Sequence, residues 1–230
     1  MSAELLPALE ERIKVTFTDK DLLQQVFVHR SYLNEHRGFA LGHNERLEFL
    51  GDAVLELVVT EHLYKNYPNP EGELTNWRSA LVKGETLAKV ALELDFPELM
   101  MLSYGEEKSG GKSKGLILAN AFEALLGAMY LDQGYDVCQT FISSCVISRL
   151  ADVLEQKLFI DPKSRLQEYT QEQFSITPHY TIVSEEGPDH AKQFVVGVYA
   201  GEKELGQGTG SSKQSAQIAA AANALRAVTD

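Results

Sequence analysis

The chain is expected to be multi-domain: an all-α domain followed by a small α+β domain of order α-β-β-β-α. Three observations predict this. Residues 1 to about 150 carry apolar side chains at helical spacing. After Asp161-Pro162 the pattern shortens to strand-like runs separated by turn residues. An alanine-rich stretch at the end returns to helix. With 230 residues, 44% of them hydrophobic and 23% charged, the chain has an ordinary globular composition and room for one large core or two smaller ones.

In the first part, helical periodicity runs through Leu22-Leu23 with Val26-Phe27, from Asn44 to Tyr67, from Leu74 to Leu94, and from Leu116 to Leu131. Pro68-Asn69-Pro70, Pro97, Gly105, Ser109-Gly110-Gly111 and Gly134 punctuate it. Asp161 is a good N-cap and Pro162 a good first helical residue, so a helix is expected from there to about Phe174. Strands are expected at Tyr180–Val183, Gln193–Tyr199 and Lys203–Gln207, with turns at Glu186-Gly187-Pro188-Asp189 and Ala200-Gly201. Gly208 to Ser212 then opens a helix that ends near Val228. The domains are placed at 1–157 and 162–230, with 158–161 as linker.

Several classes are set aside by composition. No apolar run is read as approaching the roughly 20 residues that span a bilayer, so no membrane partner is expected. The N-terminus lacks the basic-then-apolar pattern of a secretory signal. Cys138 and Cys145, seven apart on one helix and so about 10 Å apart by rise, read as reduced thiols of a cytoplasmic protein. A net charge of -12 argues against a generic polyanion binder.

Acid is concentrated in "NERLEFLGDA", residues 44–53. At about 100° per residue, Glu45, Glu48, Asp52 and Glu56 fall within about 80° of one another, opposite Leu47, Leu50, Val54, Leu57 and Val58. A solvated helix face accounts for this pattern. Two details strain that account: Phe49 sits on the acidic side, and like charges three and four apart repel with only Arg46 nearby to offset them.

The run from Gly115 to Leu131 is apolar on every face, with Glu123 its one charge and Asn120 its one amide. A buried carboxylate needs a cation, a proton or a metal. Glu123 is then either ion-paired or protonated within the core, or it faces Glu48 and Asp52 together with Asn120. In the second case four oxygen donors on two helices suit a hard divalent ion such as Mg²⁺. Zinc does not fit, because no His/Cys cluster has ligand spacing.

"HNERLEFLGDA" (43–53) resembles the signature of the bacterial ribonuclease III endonuclease domain. "VFVHRSYLNEH" (26–36), "PEGELTNWRSALV" (70–82), "KSGG" (108–111) and "ILANAFEALLGAMYLDQG" (117–134) follow that family's pattern. The segment from "DPKSRLQEYTQ" (161–171) to "GTGSSKQSAQIAAAANAL" (208–225) resembles the double-stranded-RNA-binding domain that follows it. The resemblance implies a homodimeric, Mg²⁺-dependent endoribonuclease, with Mn²⁺ able to substitute. Such an enzyme cuts double-stranded RNA to 5′-phosphate and 3′-hydroxyl ends with a short 3′ overhang, in RNA processing and decay.

Carried over by position, Glu48, Asp52, Asn120 and Glu123 are the implied metal ligands, and Glu45 and Glu71 a further catalytic acidic pair. Glu71 follows a connection one residue shorter than the family pattern. Phe49 matches the aromatic that fills a socket on the partner subunit. Ser164, Gln167, Glu168, Gln171 and His190 match minor-groove contacts, and Ser212 and Lys213 a phosphate-binding helix start.

Two departures stand out. Asn120 occupies a position where the family more often has Asp. After Lys213, Gln214 and Ser215 stand where further basic residues are usual, and residues 162–230 hold six Lys or Arg against eight Asp or Glu. Weak phosphate affinity is therefore expected of this domain alone. A rival reading is a non-cleaving double-stranded-RNA binder, degenerate at Asn120. The retained acids speak against it, since a dead site has no physical reason to keep a repulsive cluster.

Overall fold

The computed structural model describes residues 5–155, 159, 162–188 and 192–229. The cap expected at Asp161 lies outside them, as does His190. The chain divides into two compact units, Met1–Phe159 and Ile160–Asp230.

The first unit is helical: α1 (Leu5–Ile13), α2 (Lys20–Gln25), α3 (Arg30–Glu35), α4 (Glu45–Asn66), α5 (Glu71–Val82), α6 (Gly84–Glu93), α7 (Phe96–Leu99), α8 (Tyr104–Lys108), α9 (Gly115–Gln133), α10 (Tyr135–Cys145) and α11 (Leu150–Glu155), with short 3₁₀ turns at Gly111–Ser113 and Ile147–Arg149. Helix α9 is the core. Leu118, Phe122, Leu125, Leu126 and Met129 are fully buried, and α4, α6 and α10 pack around it. Two features of this unit correct or refine the sequence reading. The helix is long and apolar enough to cross a membrane by length and composition, as is the stretch Tyr135–Glu155. And the periodicity from Leu74 to Leu94 is two helices, broken where Lys83 turns extended (ψ 144°). The Lys83 carbonyl then caps α6 by accepting from Thr86 and Leu87 N–H.

The crossing of α4 and α9 depends on two glycines. A Cβ on Gly51 would collide with the Glu123 carbonyl, and one on Gly127 with the Leu47 carbonyl. With both side chains absent, the two backbones touch. Cys138 and Cys145 are both free. Burial raises their thiols to about 11 and about 12, so neither is a thiolate near neutrality.

The second unit has α12 (Pro162–Phe174), β1 (His179–Glu186), β2 (Gln193–Ala200), β3 (Lys203–Gly210) and α13 (Lys213–Thr229). The three strands form an antiparallel sheet of order β1-β2-β3. The α-β-β-β-α order is as expected, but β1 and β3 are longer than the runs read from sequence. Gly206, Gly208 and Gly210 belong to β3, where they face Ala224, Ala220 and Ala216 of α13. Glycine every second residue on a strand thus meets alanine every fourth residue on a helix. This lets α13 lie directly on the sheet above Val198 and Leu205, with Leu166 of α12 completing the core.

Candidate active site and nucleic-acid interface

The N-terminus of α4 is fixed by Asn44, which is buried. Its side chain donates to the Val26 carbonyl (2.9 Å) and its backbone N–H to Val28 O (2.9 Å). Glu45 and Glu48 fall in the first turn of the helix, where its dipole favours anions. One turn later the Gly51 contact brings the wall of α9 up against this acid, and Glu123 leaves α9 beside it.

Asp52 is exposed, while Glu48, Asn120 and Glu123 are half-buried. Burial raises Glu48 above the usual carboxylate range, and Glu45 and Asp52 add to that; the Asn120 amide opposes it by hydrogen-bonding Glu48. Glu123 is pushed up to about 7, first by burial and then by the charges of Asp52 and Glu48. Among the described residues no Lys, Arg or His pairs with Glu123. The salt-bridged alternative for this residue finds no partner among the described residues, and the carboxyl, raised to about 7, faces the charges of Asp52 and Glu48.

The donors are all oxygens, three carboxylates and one amide, on two helices locked in contact. This chemistry fits a hard divalent ion, whose charge would reverse the repulsion that raises Glu123. Among the described residues, no three His, Cys, Asp or Glu converge into a ready-made cage.

The other acids are placed differently. Glu45 faces Arg30 (3.5 Å) and His43 Nδ1 (3.7 Å), so its offsetting cation, Arg30, comes from outside α4 rather than from Arg46. Glu56 is half-buried and pairs with Arg78 of α5 (2.9 Å), which also donates to Thr60 Oγ1, so Glu56 ties α4 to α5. Glu71 opens α5 and is exposed. It lines a cavity of about 670 Å³ with Leu63, Tyr64, Tyr67, Leu74 and Arg78, at the far end of α4 from Glu48. Sixteen residues separate Glu48 from Tyr64, about 24 Å along the helix. Within one chain Glu71 therefore does not join the other four. Phe49 is 83% exposed. It begins a stripe of exposed residues (Phe49, Ala53, Leu57, Thr60, Tyr64) on one face of α4.

In the second unit, Ser164, Gln167, Glu168 and Gln171 are all exposed on one face of α12, at positions i, i+3, i+4 and i+7. Ser212 and Ser215 cap α13 reciprocally. Ser212 Oγ accepts from Ser215 N–H (3.1 Å), and Ser215 Oγ accepts from Ser212 N–H (3.0 Å). Ser215, which departs from the basic residue usual at this position in the family it resembles, thus serves the cap. Lys213 lies over the Phe194 ring and faces Glu185, and Lys192 faces the same carboxylate. Sequence reasoning missed both Lys192 and Glu185. Their only signal is the cross-strand register, which pairs Glu185 with Phe194.

Comparison with known proteins agrees with both units. A family profile described as Ribonuclease-III-like matches residues 19–150, and one described as a double-stranded RNA binding motif matches 162–228. A Ribonuclease 3 from Desulforamulus reducens is 46% identical over 219 residues, covering 95% of this chain and 89% of its own. The Ribonuclease 3 of Enterococcus faecalis is 42% identical over 230 residues, covering 99% of each. Among solved structures, the nuclease domain of ribonuclease III from Campylobacter jejuni, described for flexibility in a region involved in dimer formation, matches with a TM-score of 0.56 and 39% identity. That match covers 61% of this chain and 95% of the other.

Proposed function

The chain belongs to the ribonuclease III family, and from that premise we propose that it hydrolyses double-stranded RNA at the Glu48–Asp52–Asn120–Glu123 cluster with Mg²⁺, in RNA processing and decay. It is an endoribonuclease that carries a double-stranded-RNA-binding domain. The observation that carries the ion and the residues is Glu123, a half-buried carboxyl raised to about 7 by burial and two neighbouring acids, with no cation to pair it among the described residues.

Glu48, Asp52 and Glu123 would hold the ion through carboxylate oxygens and Asn120 through its amide oxygen. When bound, the ion supplies Lewis acidity that eases deprotonation of water and stabilises charge on the phosphoryl oxygens. The chain's own residues do the rest. Gly51 and Gly127 fix the spacing of the two helices, Asn44 fixes the start of α4, and Arg30 and His43 hold Glu45 at the edge of the site. Ser164, Gln167, Glu168 and Gln171 supply a polar face for the minor groove, and Lys213 a phosphate contact. The products are 5′-phosphate and 3′-hydroxyl ends with a short 3′ overhang.

Two copies would act together. A twofold axis crossing two antiparallel α4 helices near Leu57 sets Phe49 opposite Tyr64, because each lies about 11 Å along the axis from that point. Phe49 of one copy then enters the cavity of Leu63, Tyr64, Tyr67 and Leu74 in the other. Glu71 lines that cavity, so the same docking brings Glu71 of the second copy beside Glu48 and Asp52. The test is incubation of the full chain with a long RNA duplex, or with either strand alone, in millimolar Mg²⁺ and in EDTA, with the product ends mapped. Duplex cleavage that needs Mg²⁺ and leaves the stated ends supports the reading. Cleavage in EDTA, or equal cutting of single strands, overturns it.

A further inference from the structure

At one end of the α+β sheet, two lysines face the carboxylate of Glu185. Glu185 on β1 is the direct cross-strand partner of Phe194 on β2, and Phe194 pairs in turn with Gly210 on β3. Directly paired residues project from the same face, so Glu185 stands beside the Phe194 ring. Gly210 has no side chain, and Ser215 and Ala216 of α13 pack against it. That close approach brings Lys213, at the start of the helix, over the same ring. Lys213 Nζ lies 5.7 Å from the ring centroid and Lys192 Nζ 6.0 Å.

Both ammonium groups face one carboxylate, from different oxygens: Lys192 Nζ is 3.3 Å from Glu185 Oε2, and Lys213 Nζ is 3.5 Å from Glu185 Oε1. Hydrogen bonding from Lys192, with Lys213 adding to it, holds the Glu185 carboxyl below its ordinary range.

Two ammonium groups on two oxygens of one monoanion is also how a backbone phosphodiester would be held, through its two non-bridging oxygens. We propose that Lys192 and Lys213 form one two-lysine site for a phosphate of double-stranded RNA, and that Glu185 fills it in the free protein as an internal anion that the RNA displaces. This rests on Lys213 being a phosphate contact, as read above. Surface ion pairs are weak and screened by salt, so the exchange is accessible. A lone phosphate gains little by replacing a carboxylate already in place. A duplex that also engages the polar face of α12 brings further contacts to the exchange. Glu185 therefore makes the domain selective for extended duplex over isolated phosphates, and accounts for part of its low basicity.

The test is fluorescence anisotropy of a dye-labelled RNA duplex with the full chain in EDTA, where no cleavage is expected, across a salt series. Glu185→Gln should bind about fivefold tighter near 0.1 M salt, the factor for one like charge at about 4 Å in water. Its affinity should fall more steeply with salt, by about one phosphate contact. Adding Lys192→Ala or Lys213→Ala to that variant should reverse the gain. Glu186→Gln, which removes the same charge from the opposite face of the strand, should change affinity much less. If Glu185→Gln binds no tighter than the parent, or no tighter than Glu186→Gln, Glu185 is not the displaced anion. Glu185→Ala, with melting curves for both variants, keeps the test independent of one substitution's folding. The outcomes also separate the two levels. If Lys213→Ala alone leaves affinity and salt slope unchanged, the phosphate reading of Lys213 falls. If Lys213→Ala weakens binding while Glu185→Gln fails to tighten it, only the assignment of Glu185 falls.

Discussion

Gly51 rests against the carbonyl of Glu123 with no room between them for a β-carbon. The contact joins the helix that carries Glu48 and Asp52 to the helix that carries Asn120 and Glu123, so the spacing of the acids is set by a side chain that is missing.

Gly51→Ala is the direct consequence to test. Alanine is favoured over glycine in a helix by about 1 kcal/mol. Overpacking costs about 1–3 kcal/mol, and here the obstacle is backbone that cannot rotate away. The variant should melt lower, by roughly 2–4 °C per kcal/mol of net loss, and its cleavage rate should fall by more than its stability explains. A Tm equal to or above the parent's, with full activity, would mean the helices have slack and the spacing is not critical.

The metal-free protein should carry a pH signature from Glu123. Its carboxyl rises from 4.5 to about 7 on folding. A raised acid contributes its stability at low pH and loses it as pH climbs, so in EDTA the protein should lose stability between about pH 4.5 and pH 7. Burial raises Glu48 in the same direction. Glu123→Gln should flatten most of this loss, and Mg²⁺ should offset it in the parent. Melting curves in EDTA at pH 5 and pH 8 decide the matter; parallel behaviour of parent and variant would contradict the placement of Glu123.

Asn120→Asp changes charge with little change in volume. It adds a ligand charge, so half-maximal cleavage should move to lower Mg²⁺ concentration. It also removes the amide that hydrogen-bonds Glu48 and puts a fourth carboxylate among three. In EDTA the variant should therefore melt below the parent, and it should gain more from Mg²⁺ by mass action. Identical Mg²⁺ dependence in melting and cleavage would place Asn120 outside the ion's reach.

Phe49→Ala should weaken the dimer. The ring is 83% exposed in one chain, and filling a cavity on a second copy would make it a buried aromatic whose loss costs roughly 3–5 kcal/mol. Sedimentation at low micromolar concentration should show the variant shifting toward monomer while each monomer stays folded. A variant dimer as tight as the parent's would remove Phe49 from the interface.

Much of this was legible in the sequence because burial imposes periods. The all-round apolar α9 with one Glu and one Asn announced both the core and the charged spot within it. What stayed hidden had no periodic trace. Gly206, Gly208 and Gly210 carry no side chains to display alternation, so β3 looked shorter than it is until Ala216, Ala220 and Ala224 were set against it. The break at Lys83 is marked in the sequence only by the short polar run Lys83-Gly84-Glu85-Thr86 between apolar stretches. The neighbours of Glu45, Arg30 and His43, come from other segments of the chain. Glu185 carries no periodic mark in the sequence; the strand register sets it beside Phe194, where two lysines face it.

If Glu48, Asp52, Asn120 and Glu123 hold the ion that cuts RNA, cleavage depends on the charge of Glu123. Single-turnover cleavage of a labelled duplex by Glu123→Gln, in millimolar Mg²⁺ and at saturating protein, tests it most directly. The substitution keeps the shape of the side chain and removes its charge. Cleavage should fall by at least about 100-fold, on the order of 3 kcal/mol of lost transition-state stabilisation, while duplex binding in EDTA stays within about twofold of the parent. Cleavage at near the parent rate would place the catalytic ion elsewhere.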